Sequence, residues 1–240
     1  MNYFKYIYTG IKPLLSIHSF LQTIFFNLYY LPFRQAIRLP IWIYKPHFHK
    51  LKGKIRLELG ENNIHPGMIR LGFMGGHMYP NRGIDWTHEG IIVFKGTCRI
   101  GNNSFIVTGP QSEVVFGDDF INSTTLRLIS FIKIDFGKHC RVGFDCMVMD
   151  TNFHPMYDMI KEKFKKAYGP IFLANNNWIA SQCFVMPGVK TVPYCTFGAR
   201  SIVCRGIEFE PYCVYGGSPL HIISRNVKRI IGQDTISKYE

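Results

Sequence analysis

The chain has 240 residues, of which 47% are hydrophobic and 18% charged, so its composition is that of a folded globular protein and excludes wholesale disorder. Its formal net charge of +12 attracts phosphate groups, anionic lipid or nucleic acid without choosing among them. The sequence contains no zinc-finger spacing and no basic run interleaved with aromatic residues, so nucleic acid is not an expected partner.

The first fifty residues differ from the rest because they are crowded with aromatic and apolar side chains. An apolar run from Leu14 to Leu31 is interrupted by His18, Gln22 and Asn27. Crossing a bilayer takes roughly 20 mostly apolar residues, so this run is borderline. Basic residues flank it and suit a helix that lies in the headgroup region of a membrane; they are Lys5, Lys12, Arg34, Arg38 and Lys45. We expect peripheral membrane contact. Two alternatives stay open: the helix packs against the body or a neighbouring subunit, or it spans the membrane.

Further along the chain the dominant feature is a six-residue period. The register residues are large and apolar, with one β-branched threonine, at Leu173, Ile179, Val185, Thr191, Phe197 and Val203. The same register appears earlier, at Phe94, Ile100, Ile106, Phe136, Val142 and Val148. A period of six is neither helical nor simply alternating, and it is typical of a parallel β-helix built from short strands and turns. We therefore predict a β-helix over residues 53–223, preceded by a helical extension at 1–52 and followed by a short, partly helical tail at 224–240.

One long segment interrupts this period. Residues 151–170 break the register, and we expect a loop with a short helical turn near residues 160–166. An excursion of this length is uncommon without a function.

The seven cysteines form no CxxC pair and follow no signal peptide. Five of them fall four residues after a register residue, where a small apolar side chain suits the interior; they are Cys98, Cys140, Cys146, Cys183 and Cys195. Free thiols imply a reducing compartment. The expected location is the cytoplasm, with peripheral contact at the inner face of the cytoplasmic membrane.

Three segments resemble a known family. They are NNNWIASQCFVMPGV at 175–189, FGARSIV at 197–203 and VYGGSPLHII at 214–223. They resemble the hexapeptide-repeat acyltransferases, and within them the acetyltransferases of sugars and bacterial exopolysaccharides. The resemblance implies an all-β fold, a left-handed parallel β-helix, which is an exception to right-handed crossover. It also implies a homotrimer that binds acetyl-CoA in the groove between neighbouring subunits.

His154 is the candidate general base. It lies in the sequence DTNFHP at the mouth of the long loop. Transfer of an acetyl group to a hydroxyl requires removal of a proton, and imidazole can do this near neutral pH. The resembling enzymes place a histidine in an equivalent D-x-x-x-H-P setting. Asp150 is the candidate that orients His154, with a structural role in the turn as the alternative; a backbone carbonyl could orient the ring instead. Asn152, in the same motif, is a candidate acceptor contact.

Further candidates rest on the resemblance alone. Asn122 and Ser123 lie where sugar acetyltransferases carry an asparagine that contacts the acceptor or the oxyanion, and packing inside the coil is the alternative. Trp178 lies where the family lines the pantetheine groove, with simple corner packing as its alternative. The expected contacts with CoA are Trp178, Ser181, Ala199, Arg200 and Arg205. Cys204-Arg205 stands where the family has Thr-Lys, which puts the phosphate contacts in question.

These features favour one function over its alternatives. No histidines have the spacing of the zinc-bearing β-helical carbonic anhydrases, so no metal site is predicted. The hypothesis is an O-acetyltransferase that moves an acetyl group from acetyl-CoA to a sugar hydroxyl of a surface polysaccharide or lipid-linked glycan. The alternatives are an N-acyltransferase acting on an amino sugar and a non-catalytic β-helix scaffold.

Overall fold

The computed structural model of the chain describes residues 17–74 and 79–232. Two helices come first, α1 (Ile17–Tyr30) and α2 (Phe33–Ala36), and a 3-10 turn follows at Glu61–Asn63. Residues 1–16, which include Lys5, Lys12 and Leu14 of the predicted amphipathic segment, lie outside the described residues. So does the end of the predicted tail, 233–240.

Most of the chain forms three sheets of parallel strands. Sheet A contains β1 (Ile41–Ile43), β4 (Ile69–Phe73), β7 (Cys98–Gly101), β10 (Phe120–Asn122), β13 (Arg141–Val142), β18 (Trp178–Ile179), β20 (Thr196–Phe197), β22 (Cys213–Gly216) and the antiparallel β23 (His221–Arg225). Sheet B contains β2 (Pro46–Lys50), β5 (Ile84–His88), β8 (Ser104–Thr108), β11 (Arg127–Ser130), β14 (Met147–Met149), β19 (Phe184–Val185) and β21 (Ile202–Val203). Sheet C contains β3 (Lys54–Leu57), β6 (Ile91–Phe94), β9 (Glu113–Phe116), β12 (Lys133–Phe136) and β17 (Ile171–Leu173).

Successive strands visit these sheets in rotation. β1 lies in sheet A, β2 in B, β3 in C and β4 again in A, and each pairs in parallel with the corresponding strand of the next coil. The predicted predominance of parallel strands is confirmed. We call the turns that lead from A to B, from B to C and from C to A the A–B, B–C and C–A corners.

The interior is filled by the predicted register residues. All twelve are buried, and the next coil adds Phe116, whose ring stacks between those of Phe94 and Phe136 at centroid distances of 5.3 and 5.4 Å. The five predicted core cysteines are likewise buried and free. The thiols of Cys146 and Cys183 donate to the carbonyl oxygens of Ala180 and Gly198 at 3.0 and 3.1 Å. Cysteine therefore suits this position as a small side chain that is also a weak donor.

The sheets begin earlier than the predicted boundary at residue 53. β1 pairs with β4 and β2 pairs with β5, so residues 41–50 already belong to the first coil. The six-residue period does not mark this coil because long connections, such as residues 58–68 between β3 and β4, separate its strands.

Helix α1 packs two polar side chains, those of Thr23 and Asn27, against β1. The Thr23 hydroxyl donates to the Ile43 carbonyl and accepts from the Ile43 N–H, both at 3.2 Å. The Asn27 amide donates to the Ile41 carbonyl at 2.6 Å and accepts from the Ile41 N–H at 3.1 Å. One face of α1 is thus packed on the body. At 14 residues α1 is short, and no helix in the described ranges is long and apolar enough to cross a membrane.

The long loop is a hairpin and not a helix. β15 (Tyr157–Asp158) pairs antiparallel with β16 (Lys163–Phe164), so the helical turn predicted near residues 160–166 is wrong. The Asp158 carboxylate accepts the N–H groups of Ile160 and Lys161 at 3.1 and 3.0 Å, which favours a turn at this point. The described part of the tail, residues 224–232, contains the end of β23 and turns but no helix.

Candidate active site

The loop that carries His154 leaves the coil at the B–C corner. Its neck is closed by backbone hydrogen bonds, from Asn152 N–H to the Ala167 carbonyl at 2.6 Å and from Gly169 N–H to the Asp150 carbonyl at 2.9 Å. The His154 side chain is exposed, and no described residue hydrogen-bonds to its ring. The structure therefore presents an accessible imidazole on a backbone held at both ends.

Asp150 is fully buried beneath this neck. Its carboxylate accepts the Ser130 hydroxyl at 2.7 Å and the backbone N–H groups of Phe131 and Ile132 at 2.8 and 2.9 Å. All three partners belong to the B–C corner of the preceding coil. The structure does not bring the Asp150 carboxylate into hydrogen-bond contact with His154. The contacts that this carboxylate does make anchor the B–C corner from which the loop leaves the coil.

Ser123 and Trp178 are brought together on the outer side of sheet A. Both line a depression of about 320 Å³, together with Arg141. The Arg229 guanidinium lies over the Trp178 ring at 4.7 Å from its centroid. The candidate acceptor contact and the candidate pantetheine contact thus share one surface.

Asn122 points the other way, into the coil. Its side chain is fully buried, accepts the Gly101 N–H at 3.2 Å and donates to the Gly143 carbonyl at 3.0 Å. These two bonds join the coil below to the coil above, so the structure shows the packing alternative for this residue. Ser123 is exposed.

The candidate CoA contacts occupy two different corners. Ser181, Ala199 and Arg200 lie at the A–B corner, where the Arg200 N–H donates to the Ser181 carbonyl at 3.0 Å. Arg205 lies at the B–C corner with the His154 loop. The Arg205 side chain lies next to Gly188, since its Cδ is 3.3 Å from the position that a Cβ on Gly188 would occupy. The Gly188 N–H donates to the carbonyl of Gly169, in the neck of the His154 loop, at 3.0 Å.

The outer side of sheet B separates these two groups of residues. Its outward positions are mostly apolar and lie in register across neighbouring strands; they include Phe105, Met147, Phe184 and Ile202, with the exposed Arg127 between Phe105 and Met147. The exposed fractions of Phe105, Phe184 and Ile202 are 37%, 41% and 40%. We call this surface the B face.

One cluster of charged side chains, at the C–A corner, was not predicted from the sequence. His139 Nδ1 lies 2.7 Å from Asp119 Oδ2, which Arg141 also contacts. Burial raises the pKa of Asp119, but hydrogen bonds from Arg141 and His139 outweigh it and hold that pKa below its usual value. Asp119 and His139 occupy the same turn in successive coils, so aligning the turns would have revealed the pair.

Comparison with known proteins supports the fold. Neither a protein-family model nor a curated protein matches the sequence. Among solved structures, the polySia-specific acetyltransferase NeuO is similar, with 18% identity, a TM-score of 0.51 and coverage of 80% of this chain and 76% of that one. The polysialic acid O-acetyltransferase OatWY matches with 16% identity, a TM-score of 0.41 and coverage of 81% and 92%. A maltose O-acetyltransferase from Clostridium difficile 630 matches with 12% identity, a TM-score of 0.34 and coverage of 91% of both chains. The expected resemblance to acetyltransferases is confirmed, and at these identities it concerns the fold.

Proposed function

We propose that the chain is an O-acetyltransferase with a left-handed parallel β-helix, which moves an acetyl group from acetyl-CoA to a sugar hydroxyl of a surface polysaccharide or lipid-linked glycan. The observation that carries this proposal is the accessible ring of His154 on the closed neck of a loop. An imidazole with no described hydrogen-bond partner is available to take a proton from a hydroxyl near neutral pH.

The reaction needs one proton carrier. His154 takes the hydroxyl proton while the sugar oxygen bonds to the thioester carbonyl carbon. The carbon–sulfur bond then breaks, and the imidazolium returns the proton to the leaving thiolate. The products are an acetyl ester and CoA. The exposed guanidinium groups of Arg200 and Arg205 are suited to the CoA phosphates, since guanidinium binds phosphate through paired hydrogen bonds.

The proposed assembly is a homotrimer with the site between subunits. Within one chain, the apolar B face separates the corner with His154 and Arg205 from the corner with Ser181 and Arg200. If the B faces of neighbouring copies pack together around an axis, the B–C corner of one copy lies beside the A–B corner of the next. The outer side of sheet C is a poorer interface because it carries ion pairs such as Lys133–Glu113 at 2.6 Å.

The first test is acetyl-CoA turnover, measured as thiol release against sugars, amino sugars and membrane glycan extracts. His154→Ala should lower turnover by roughly 10²–10⁴-fold, the contribution of a general base, while leaving CoA binding and folding unchanged. An ester product, cleaved by hydroxylamine, is expected; transfer to an amino group instead would establish the N-acyltransferase alternative.

His139→Ala is the matched comparison, because the His139 ring lies at a coil corner and has a carboxylate partner, Asp119. We expect this variant to keep most of the activity. If His139→Ala abolished turnover and His154→Ala did not, the general base would lie at the C–A corner with His139 and not at the B–C corner with His154.

We also propose that α1 contacts the cytoplasmic face of an anionic membrane. Its outer side is apolar and exposed at Phe20, Leu21, Phe25, Leu28 and Tyr29. Apolar contact combined with the positive charge of the chain should give vesicle binding that weakens as salt rises. The double change Leu21→Gln with Leu28→Gln should reduce sedimentation with anionic vesicles without changing the unfolding midpoint. Unchanged sedimentation would show that this side of α1 serves another contact.

A further inference from the structure

Helix α1 lies across the open end of the first coil. On one side of the helix, Thr23 and Asn27 hydrogen-bond to the backbone of β1 in sheet A. On the same side, the buried Phe26 packs on two rings of sheet B, those of Phe48 at a centroid distance of 5.8 Å and Trp86 at 5.3 Å. Because this side contacts both sheets, the opposite side of α1 faces away from the coil along its axis.

That opposite side is apolar. Leu21, Phe25 and Leu28 follow one another at the spacing i, i+4, i+7, which places them on one helix face. The side chains of all three are exposed. This end of the molecule therefore presents an apolar surface that is roughly perpendicular to the coil axis.

The same end of the molecule is basic. Residues 17–57, which form α1, α2 and β1–β3, contain seven lysines and arginines and no aspartate or glutamate. Four of these basic side chains are exposed on α2 and in the first coil; they are Arg34, Lys45, Lys52 and Lys54. A basic surface beside an apolar one favours anionic lipid as the partner over another copy of this chain, whose net charge is +12.

The strand order fixes how far this end lies from His154. Sheet B passes through β2, β5, β8, β11 and β14, and the His154 loop follows β14. Four strand spacings of about 4.8 Å place the neck of the loop roughly 19 Å from β2. The diameter of α1 adds about 10 Å. His154 lies two residues beyond Asn152 in the neck, which allows it to approach this end by at most ~7 Å.

We propose that α1 and the basic first coil seat the molecule upright on an anionic membrane, with the coil axis along the membrane normal, and that this seating keeps the acetylated sugar away from the lipid anchor. The inference rests on the proposed function for the transfer step but not for the seating. An apolar helix face sinks about 5–10 Å into the headgroup boundary, which leaves His154 roughly 15 Å above the lipid. The coils of the proposed trimer are parallel, so its three α1 helices reach one plane.

This height excludes the first sugar of a lipid-linked glycan as the acceptor. A pyranose ring adds about four covalent bonds of roughly 1.5 Å to the chain, so one sugar spans at most ~6 Å. The hydroxyl that reaches His154 therefore belongs to the third sugar from the lipid or to one farther out. Glycosyl transfer that adds these outer sugars must precede acetylation and supplies its substrate.

Energy transfer from a fluorophore to a headgroup probe measures the seating. Cys204, which follows β21 at the B–C corner, is exposed, and the six other cysteines are buried. β21 lies six strands beyond β2 in sheet B, so a label on Cys204 should stand roughly 29 Å farther from the lipid than a label on a Lys52→Cys, Cys204→Ser chain.

The vesicles contain phosphatidylcholine and phosphatidylglycerol, and no acetyl-CoA is added. We expect strong energy transfer from position 52 and weak transfer from position 204. Equal transfer from the two positions would mean that the molecule lies on its side, and absence of vesicle binding would remove the lipid partner. Either result overturns the proposal.

The double change Lys45→Gln with Lys54→Gln tests the basic end. It should weaken vesicle binding by roughly 10-fold or more at low salt, because each lysine near an anionic surface adds to the attraction. Lys190→Gln with Lys228→Gln is the matched control, since it removes the same charge from exposed positions near the other end of the coil. The control should bind like the unchanged chain, and equal weakening of both would contradict the upright seating.

The order of the reactions needs a separate measurement. The sugar that accepts acetyl in the turnover panel is attached to a vesicle lipid either directly or through a polyethylene glycol spacer longer than the height of His154. Turnover of the directly attached sugar should be at least roughly 10-fold slower, because effective concentration falls to near zero when a linker cannot span two sites. The difference should vanish once detergent dissolves the vesicles.

The failures of seating, height and reaction can be told apart. Equal turnover of both lipid-linked sugars on intact vesicles would refute the height limit. Absence of turnover with every acceptor, free sugars included, would refute the proposed reaction. The seating would then still be decided by energy transfer alone.

Discussion

Asp150 shows how a single buried carboxylate can anchor the loop that carries His154. It accepts one hydroxyl and two backbone N–H groups of the preceding B–C corner, and its own carbonyl closes the neck of the His154 loop through Gly169. A carboxylate offers only acceptors, which is what three converging donors require. The side chain therefore ties two coils together where the loop leaves them.

The change Asp150→Asn tests this anchoring role. The amide turns one acceptor oxygen into a donor, so at least one buried N–H or hydroxyl loses its partner at a cost of about 1–3 kcal/mol. We expect the free energy of urea unfolding to fall by that amount, together with the turnover number. If turnover fell while unfolding stayed unchanged, Asp150 would instead act directly on His154, as the sequence pattern suggested.

At the scale of elements, helix α1 lies beside β1 at the edge of sheet A, in the position that a further strand would otherwise occupy. Asn27→Ala removes both hydrogen bonds to the backbone of Ile41 and leaves a buried donor and acceptor unpaired. The expected loss is about 2–5 kcal/mol of unfolding free energy, since each unpaired buried group costs about 1–3 kcal/mol. Leu28→Ala, on the exposed side of the same helix, is the control and should change stability little. An equal loss in both variants would contradict a specific stabilising contact between Asn27 and β1, because alanine has the highest helix propensity and neither change lowers stability through propensity.

The six-residue period was enough to predict the parallel coils at residues 94–106, 136–148 and 173–203, because there short turns of similar length separate successive strands. It could not reveal the first coil, since long connections separate β3, β4 and β5. It could not explain Asn27 either, whose partner Ile41 lies in that aperiodic coil. In the loop, helix-forming residues near 160–166 misled the prediction. The Asp158 turn and the cross-strand contact of Tyr157 with Phe164, at a centroid distance of 5.1 Å, favour the hairpin.

The candidate site was predictable only in part, for reasons of geometry. The place of His154 at the mouth of a loop followed from the break in the period. The burial of Asn122 did not, because adjacent residues in a strand face opposite sides and the resemblance named Asn122 and Ser123 together. The separation of Arg205 from Arg200 depends on which corner each turn occupies, which requires the three-sheet topology.

At the scale of the whole molecule, the proposed trimer depends on the B face, which would bring the B–C corner of one copy beside the A–B corner of the next. Phe184→Glu places a charge in the centre of this apolar surface and should convert the proposed trimer to monomers at micromolar concentration, with loss of turnover despite an intact His154. Sedimentation velocity measures the change. Phe172→Glu is the matched control, since Phe172 is 37% exposed on the outer side of sheet C. A monomeric parent chain that still turned over acetyl-CoA would contradict the shared site.

The contact between α1 and β1 also limits how these molecules can assemble. A coil of parallel strands ends in a row of unpaired backbone groups, and such an open edge can recruit further strands without limit. In sheet A, Thr23 and Asn27 occupy the first edge, and the antiparallel β23 covers β22 at the last. In sheet A neither end therefore offers a free parallel strand to another copy, which favours the sideways association proposed above over growth into fibres.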